Sequence, residues 1–483
     1  YLQDPEIKVI NNSWEPSGKK GENYFPDIMG DEAAKKFLVN DTAQYTKQIA
    51  EAVKADKLLI FAAGNTGHPT ANITALCPLF LPETANQLIM VTNVNNTHVS
   101  RSGEGTLTAA ESMMAYGSDL AKYAEDYTLT APGKNIFSLN ANYATDGVLY
   151  IGEEGTSMAA PFVTGTGALV QQAFPYMSAK QIGDVLLSTA NSEIQSSVDY
   201  SCSLQKDVDA QGNTSYQVNV FNFSAGESDA AQEMVARFKA SLEKSGVPIQ
   251  KVNLYYNVPL QELIGQGVVD AGAAVEGPGA LNARRLSSSD ISSSYTVNGT
   301  AAQQALYSVD TQDYDSVWSN DIKEIKAGYI ASDSTEADLQ ARWKYYDTNW
   351  LSYTGTDRDT AKSMTQFMMD LYNQQVKDSG LAGLHVGLYK SGAGTLALTG
   401  ANTYAGSNIA AGGTLEIDGS VAGDAWSITN SSTGKTGTIS GSGIIKGNLY
   451  NYGIAQPTAA GNLTVNGTLT SDGALGLVTV ANG

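Results

Sequence analysis

Histidine is nearly absent from this 483-residue chain, which has only His68, His98 and His385. With so few, and with no Cys-x-x-Cys, the ligand spacings of zinc sites are excluded. No Asp cluster has the spacing of a calcium-binding loop, and no glycine-rich phosphate or dinucleotide fingerprint stands between a strand and a helix. Two cysteines, Cys77 and Cys202, exclude a disulfide framework. They leave open one bridge in an oxidising compartment or two unrelated thiols. Cations are scarce too. Against 49 acidic residues stand 29 basic ones, a net charge of -20. That balance repels phosphate backbones and anionic lipid, so no nucleic-acid partner is expected. No apolar run reaches the roughly 18 residues that a membrane helix needs. Tyr1 opens without Met, basic segment or apolar leader, and the chain stops abruptly at Gly483. It is therefore expected to begin and end inside a longer polypeptide. Low charge (16%) and 48 glycines are unlike a cytosolic enzyme and suit a soluble protein working outside the cell.

Within this length two or three domains are expected. From Ile7 to about residue 190, short apolar strands alternate with amphipathic helices. Residues 7–11, 58–63 and 88–92 read as strands, and Glu32 to Lys54 reads as a helix. Leu58-Leu59-Ile60-Phe61-Ala62-Ala63 is continuously apolar, as in a strand covered on both faces. Such alternation predicts a parallel sheet flanked by helices. Residues 191–257 are polar and mixed, with a helical patch from Asp229 to Lys244, and read as an insertion. Serines at 287–289 and 292–294 read as a linker or exposed loop, and 336–376 has helical character. After about Leu384 the charges nearly vanish. Gly394-Thr395-Leu396-Ala397-Leu398-Thr399-Gly400 and Gly413-Thr414-Leu415-Glu416-Ile417-Asp418-Gly419 are two copies of one theme, echoed at Gly461–Gly467. Short alternating strands between glycine turns, about every twenty residues, predict a β-solenoid whose coils must stack to bury their apolar faces. The expected domains are 1–280, 281–383 as linker and helical segment, and 384–483 as solenoid.

The string Gly155-Thr156-Ser157-Met158-Ala159-Ala160-Pro161 carries the chemistry. A serine becomes a nucleophile when a strained turn exposes it and a neighbouring base takes its proton. Small residues after Ser157 place it at a helix N-terminus, where its own N–H and the helix dipole face a developing oxyanion. Gly-x-Ser alone marks little more than a helix cap. The whole string is far more specific.

It resembles the active-site serine motif of the subtilase family. The strand and turn Ala62-Ala63-Gly64-Asn65 are similar to those that present the family's oxyanion asparagine, which makes Asn65 the second catalytic candidate. Gly-Asn is also an ordinary turn dipeptide, but here it directly follows a buried strand. Val9-Ile10-Asn11-Asn12-Ser13-Trp14 resembles the strand that pairs with substrate and walls the first specificity pocket. The resemblance implies substrate contacts at Ser13, Trp14, Glu15, Ala62, Ala63 and Gly64. Many relatives have glycine where this chain has Glu15. Ala131-Pro132-Gly133 matches a family turn near the site, and Gly267–Ala271 with Ala274–Pro278 resembles the segment closing such domains in autotransporters.

Subtilases order their triad Asp, His, Ser, with the first two in Asp-Ser/Thr-Gly and His-Gly-x-His motifs. Neither motif is present, and no histidine precedes the Val9–Trp14 strand. The expectation is an α/β subtilase domain with its N-terminal part missing, holding nucleophile and oxyanion donor but no base, and inactive alone. Family members often bind structural calcium, yet no ligands are assignable here. The region Lys390–Gly406 resembles autotransporter passenger repeats, which implies a β-solenoid (parallel β-helix) passenger and an outer-membrane β-barrel of the same precursor beyond this chain. Together these imply a secreted or surface-displayed bacterial endopeptidase acting on protein or peptide substrates. The rival is an adhesin or stalk with a degenerate protease domain. A lipase-type hydrolase is disfavoured, because Ser157 lacks the Gly-x-Ser-x-Gly elbow.

Overall fold

The computed structural model describes residues 2–14, 43–70, 72, 77–81, 84–102, 106–109, 112–196, 200–208, 211–223, 229–246, 249–255, 258–329, 370–459 and 461–476. The chain divides into two compact units. One holds Tyr1–Gly167 and Ala190–Val269; the other holds Ala168–Thr189, Asp270–Tyr329 and Leu371–Gly483.

In the first unit, strand β1 (Val9–Asn12), helix α1 (Ala43–Lys54), and strands β2 (Leu58–Ala62), β3 (Leu88–Val94) and β4 (Thr128–Pro132) build a parallel sheet in the order β1-β2-β3-β4. Every residue of β2 and β3 is buried, which is why β2 reads as an unbroken apolar run and β3 opens with one at Leu88–Val91. Leu59, Phe61, Leu88 and Met90 join Ile49 and Ala52 of α1 in one core cluster. The expected helix from residue 32 begins, among the described residues, at Ala43. Gly265–Val269 runs beside β4: Thr130 N–H donates to the Gly267 carbonyl and Val269 N–H to that of Thr130, both at 2.9 Å. Helix α2 (Thr156–Ala173) carries the serine motif at its start, while helix α3 (Ala179–Ser188), which belongs to the second unit, is held at its N-terminus by a Ser178–Gln181 capping box.

Beyond them, β5 (Tyr200–Val208) and β6 (Thr214–Asn222) pair antiparallel. Helix α4 (Asp229–Lys244) follows, and β7 (Ile249–Tyr255) returns parallel to β6. Cys202 on β5 and Cys77 are both buried, and no disulfide joins them.

Three ladders of seven, six and four strands form the solenoid of the second unit, parallel except where Ile291–Ser292 joins the first of them antiparallel. Leu398 and Ile417 sit in register in one ladder, each fully buried. Coils pass so closely at Gly394 that any side chain there would collide with the Tyr314 carbonyl. Stacking starts upstream of the change in composition, because Gln304–Asp310 pairs along its length with His385–Ser391. The serine-rich stretch is part of this structure. Ser287 and Asp290 cap a 3-10 turn, and Ile291–Ser292 pairs with Gln304 and Ala305. The expected helical segment at 336–376 lies mostly outside the described residues. No described helix is long and apolar enough to cross a membrane.

Candidate active site

The glycine before the helix is required by geometry. Gly155 has φ +141°, and an added Cβ would lie 2.9 Å from Asn65 Oδ1. Gly155 N–H donates to the Gly133 carbonyl at 2.9 Å, and Asn93 Nδ2 donates to the same carbonyl at 3.2 Å. The Ala131-Pro132-Gly133 turn thereby supports the nucleophile turn.

Asn65, exposed at the end of the buried β2 segment, is tied to that turn through its side chain. Asn65 Oδ1 accepts from Thr156 N–H at 2.8 Å and from Thr156 Oγ1 at 3.1 Å. This fixes the amide's orientation and leaves Nδ2 with no hydrogen bond among the described residues. Thr156 Oγ1 also lies 3.2 Å from both N and O of Gly64. Thr156, fully buried, is the residue that residue-type reasoning passed over. Its place between Gly155 and Ser157 was the available signal.

Ser157 stands in the first turn of α2, where its N–H has no helical acceptor. Pro161 lies inside the same helix and has no N–H to offer the Ser157 carbonyl. Ser13 replaces that donor: Ser13 Oγ donates to the Ser157 carbonyl at 2.8 Å, while Ser157 Oγ donates to the Ser13 carbonyl at 3.3 Å. Asn11 Nδ2 donates to Ser13 Oγ at 2.9 Å, and Thr164 Oγ1 donates to Asn11 Oδ1 at 3.0 Å, tying the end of β1 to α2. The structure thus brings Ser157, Asn65 and Ser13 together.

The remaining wall residues fall around them. Ala62, Ala63 and Gly64 are buried, whereas Trp14 is 46% exposed and meets Phe61 edge-on at 5.8 Å. Glu15 lies outside the described residues.

No histidine reaches Ser157 among the described residues. His68 Nε2 sits 3.4 Å from Asp207 Oδ1, His98 Nδ1 is 3.0 Å from the Ser112 carbonyl, and His385 Nδ1 is 3.0 Å from Glu324 Oε2. Among the described residues, no three His, Cys, Asp or Glu side chains converge.

Residues 1–227 match the model of the subtilase family, and residues 388–417 match that of the passenger-associated transport repeat. A subtilase segment precedes an autotransporter passenger repeat. The subtilase-type α/β fold and the solenoid described above agree with that pairing. The extracellular serine protease of Serratia marcescens is 27% identical over 418 residues, covering 82% of this chain and 28% of that protein. Serotype-specific antigen 1 of Mannheimia haemolytica is 27% identical over 201 residues, 41% of this chain and 20% of that one. Neisserial autotransporter lipoprotein NalP of Neisseria meningitidis is 24% identical over 204 residues, 39% of this chain and 18% of that one. The chain therefore spans less than a third of the length of these relatives. In the subtilase segment the serine turn, the asparagine turn and the end of β1 form one hydrogen-bonded group.

Proposed function

We propose that the complete gene product is a secreted or surface-displayed serine endopeptidase with Ser157 as its nucleophile. The observation that carries this reading is the Asn65 amide, anchored by its oxygen to Thr156 and holding an unused Nδ2 donor beside the Ser157 turn. In the reaction, Ser157 Oγ attacks the scissile carbonyl carbon. Its proton passes to a histidine oriented by an aspartate, both supplied from outside these 483 residues. The carbonyl oxygen becomes an oxyanion held by Asn65 Nδ2 and the Ser157 N–H. Both donors are already oriented, so little reorganisation opposes the step. The proton then moves to the leaving amine, and water hydrolyses the acyl-enzyme. Ser13 to Glu15 and Ala62 to Gly64 flank the first specificity pocket, with substrate aligned as an added strand.

The described histidines, each engaged elsewhere, support the corollary that this polypeptide alone does not hydrolyse peptides. The Serratia and Neisseria relatives and the passenger repeat support export through a β-barrel of the same precursor. A casein-release assay with the complete gene product and with the 483-residue chain tests this. Activity is expected in the first, abolished by Ser157→Ala, and none in the second. Phenylmethylsulfonyl-sensitive hydrolysis by the shorter chain would refute the corollary.

A further inference from the structure

The loop that follows Asn65 is clasped from two sides, and the second clasp is the β5–β6–β7 sheet. On the core side, the fully buried Asp119 accepts from Thr66 N–H at 3.0 Å and His68 N–H at 2.9 Å. On the opposite side, Lys206 N–H donates to the Thr66 carbonyl at 2.7 Å, and Ser203 Oγ donates to that of Gly67, also at 2.7 Å. Gly67, at φ +71°, lies so close that a side chain there would collide with the Leu204 carbonyl.

The sheet's two faces differ. Tyr200, Cys202, Val218 and Val220 share one face and form an apolar cluster. On the other face Ser203, Asn219 and Asn253 are direct cross-strand neighbours, and all three are buried. Asn253 Nδ2 donates to Asn219 Oδ1 at 2.7 Å. Asn219 Nδ2 lies 3.3 Å from Ser203 Oγ and 3.4 Å from the Gly67 carbonyl. Buried amides destabilise a sheet unless each finds a partner, so a row that ends on a loop carbonyl fixes that loop as much as itself. At the row's outer end, Asp207 holds His68 and accepts from Gln217 Nε2 at 2.8 Å.

We propose that the β5–β6–β7 sheet is a positioning element for the Asn65 amide, with Ser203 and Asn219 as its positioning residues. The proposal rests on the assignment of Asn65 as oxyanion donor. A donor displaced by even a fraction of an ångström loses most of its transition-state value while ground-state binding is hardly touched.

The test is steady-state kinetics of the complete gene product on a peptide anilide. Ser203→Ala and Asn219→Ala are expected to lower kcat about tenfold with KM changed less than about twofold. In an Asn65→Ala background the same changes are expected to cost nothing further, because their effect passes through that amide. Should neither fold, as judged by melting, Asp207→Asn at the partly exposed end of the row gives the same readout with a smaller loss, about threefold. Wild-type kcat in the sheet variants, or losses that multiply with that of Asn65→Ala, would overturn the proposal. Full activity in Ser157→Ala or Asn65→Ala would instead overturn the underlying assignment and the proposal with it.

Discussion

At the scale of residues, the site is a set of short hydrogen bonds whose removal has distinct signatures. If Asn65 acts as the proposed oxyanion donor, Asn65→Ala in the complete gene product should lower kcat on the order of 100- to 1000-fold with little change in KM, the range for removal of one such donor, as in subtilisin. Gly155→Ala should act through the same amide. Its new methyl meets Asn65 Oδ1 while the backbone is held at φ +141°, a strain of about 1–3 kcal/mol that should lower both Tm and kcat. Ser157 and Asn65 stand out in sequence as candidates because their neighbours are constrained in type: small residues after the serine, a buried strand before the asparagine. The exchange between Ser13 and Ser157 could not be read the same way. It depends on Pro161 leaving a helical carbonyl without its donor, and only the folded register puts Ser13 within 2.8 Å of it.

At the scale of elements, carboxylates mark a second strained place in the first unit. Packing of protein around Glu125, and then the nearby Glu262 and Asp126 carboxylates, raise its pKa to about 7. Lys122 approaches Glu262 at 3.5 Å. A carboxyl whose folded pKa exceeds its unfolded value binds more protons when folded, so its contribution favours folding at low pH and is lost as pH rises through about 7. Glu125→Gln should therefore raise Tm at pH 8 and leave it nearly unchanged at pH 5, as measured by calorimetry. Equal shifts at both pH values would contradict this. Elements with a strong pattern were legible: β2 and the start of β3 as apolar runs, α4 from its charged helical periodicity. The serine-rich stretch at 287–294 was legible as exposed, since all its serines but Ser292 are exposed, but not as part of the ordered turn and strand. Hydroxyls that suit a linker or exposed loop also cap a turn at Ser287 and enter a strand at Ser292, since serine serves both uses equally well.

Across the whole molecule, the solenoid is a one-dimensional stack in which each coil is stabilised by its neighbours. Ile439 is fully buried on a strand paired with Gly413–Ile417 on one side and Ile454–Ala455 on the other. Ile439→Ala should cost about 2–5 kcal/mol. Hydrogen exchange should then report lost protection in both neighbouring strands, rather than in its own strand alone. The extent of this stack was only partly visible in sequence. Gln304–Asp310 carries the polar and aromatic side chains of an ordinary strand, and its pairing with His385–Ser391 spans a long separation that local composition does not encode. The central claim concerns the other unit, that Ser157 is the nucleophile of a serine endopeptidase. It is tested most directly by treating the complete gene product with a fluorophosphonate and mapping the adduct by mass spectrometry. The account predicts one phosphonylated peptide, containing Ser157, absent from the Ser157→Ala variant together with all proteolysis. An adduct on another serine, or proteolysis that survives Ser157→Ala, would contradict it.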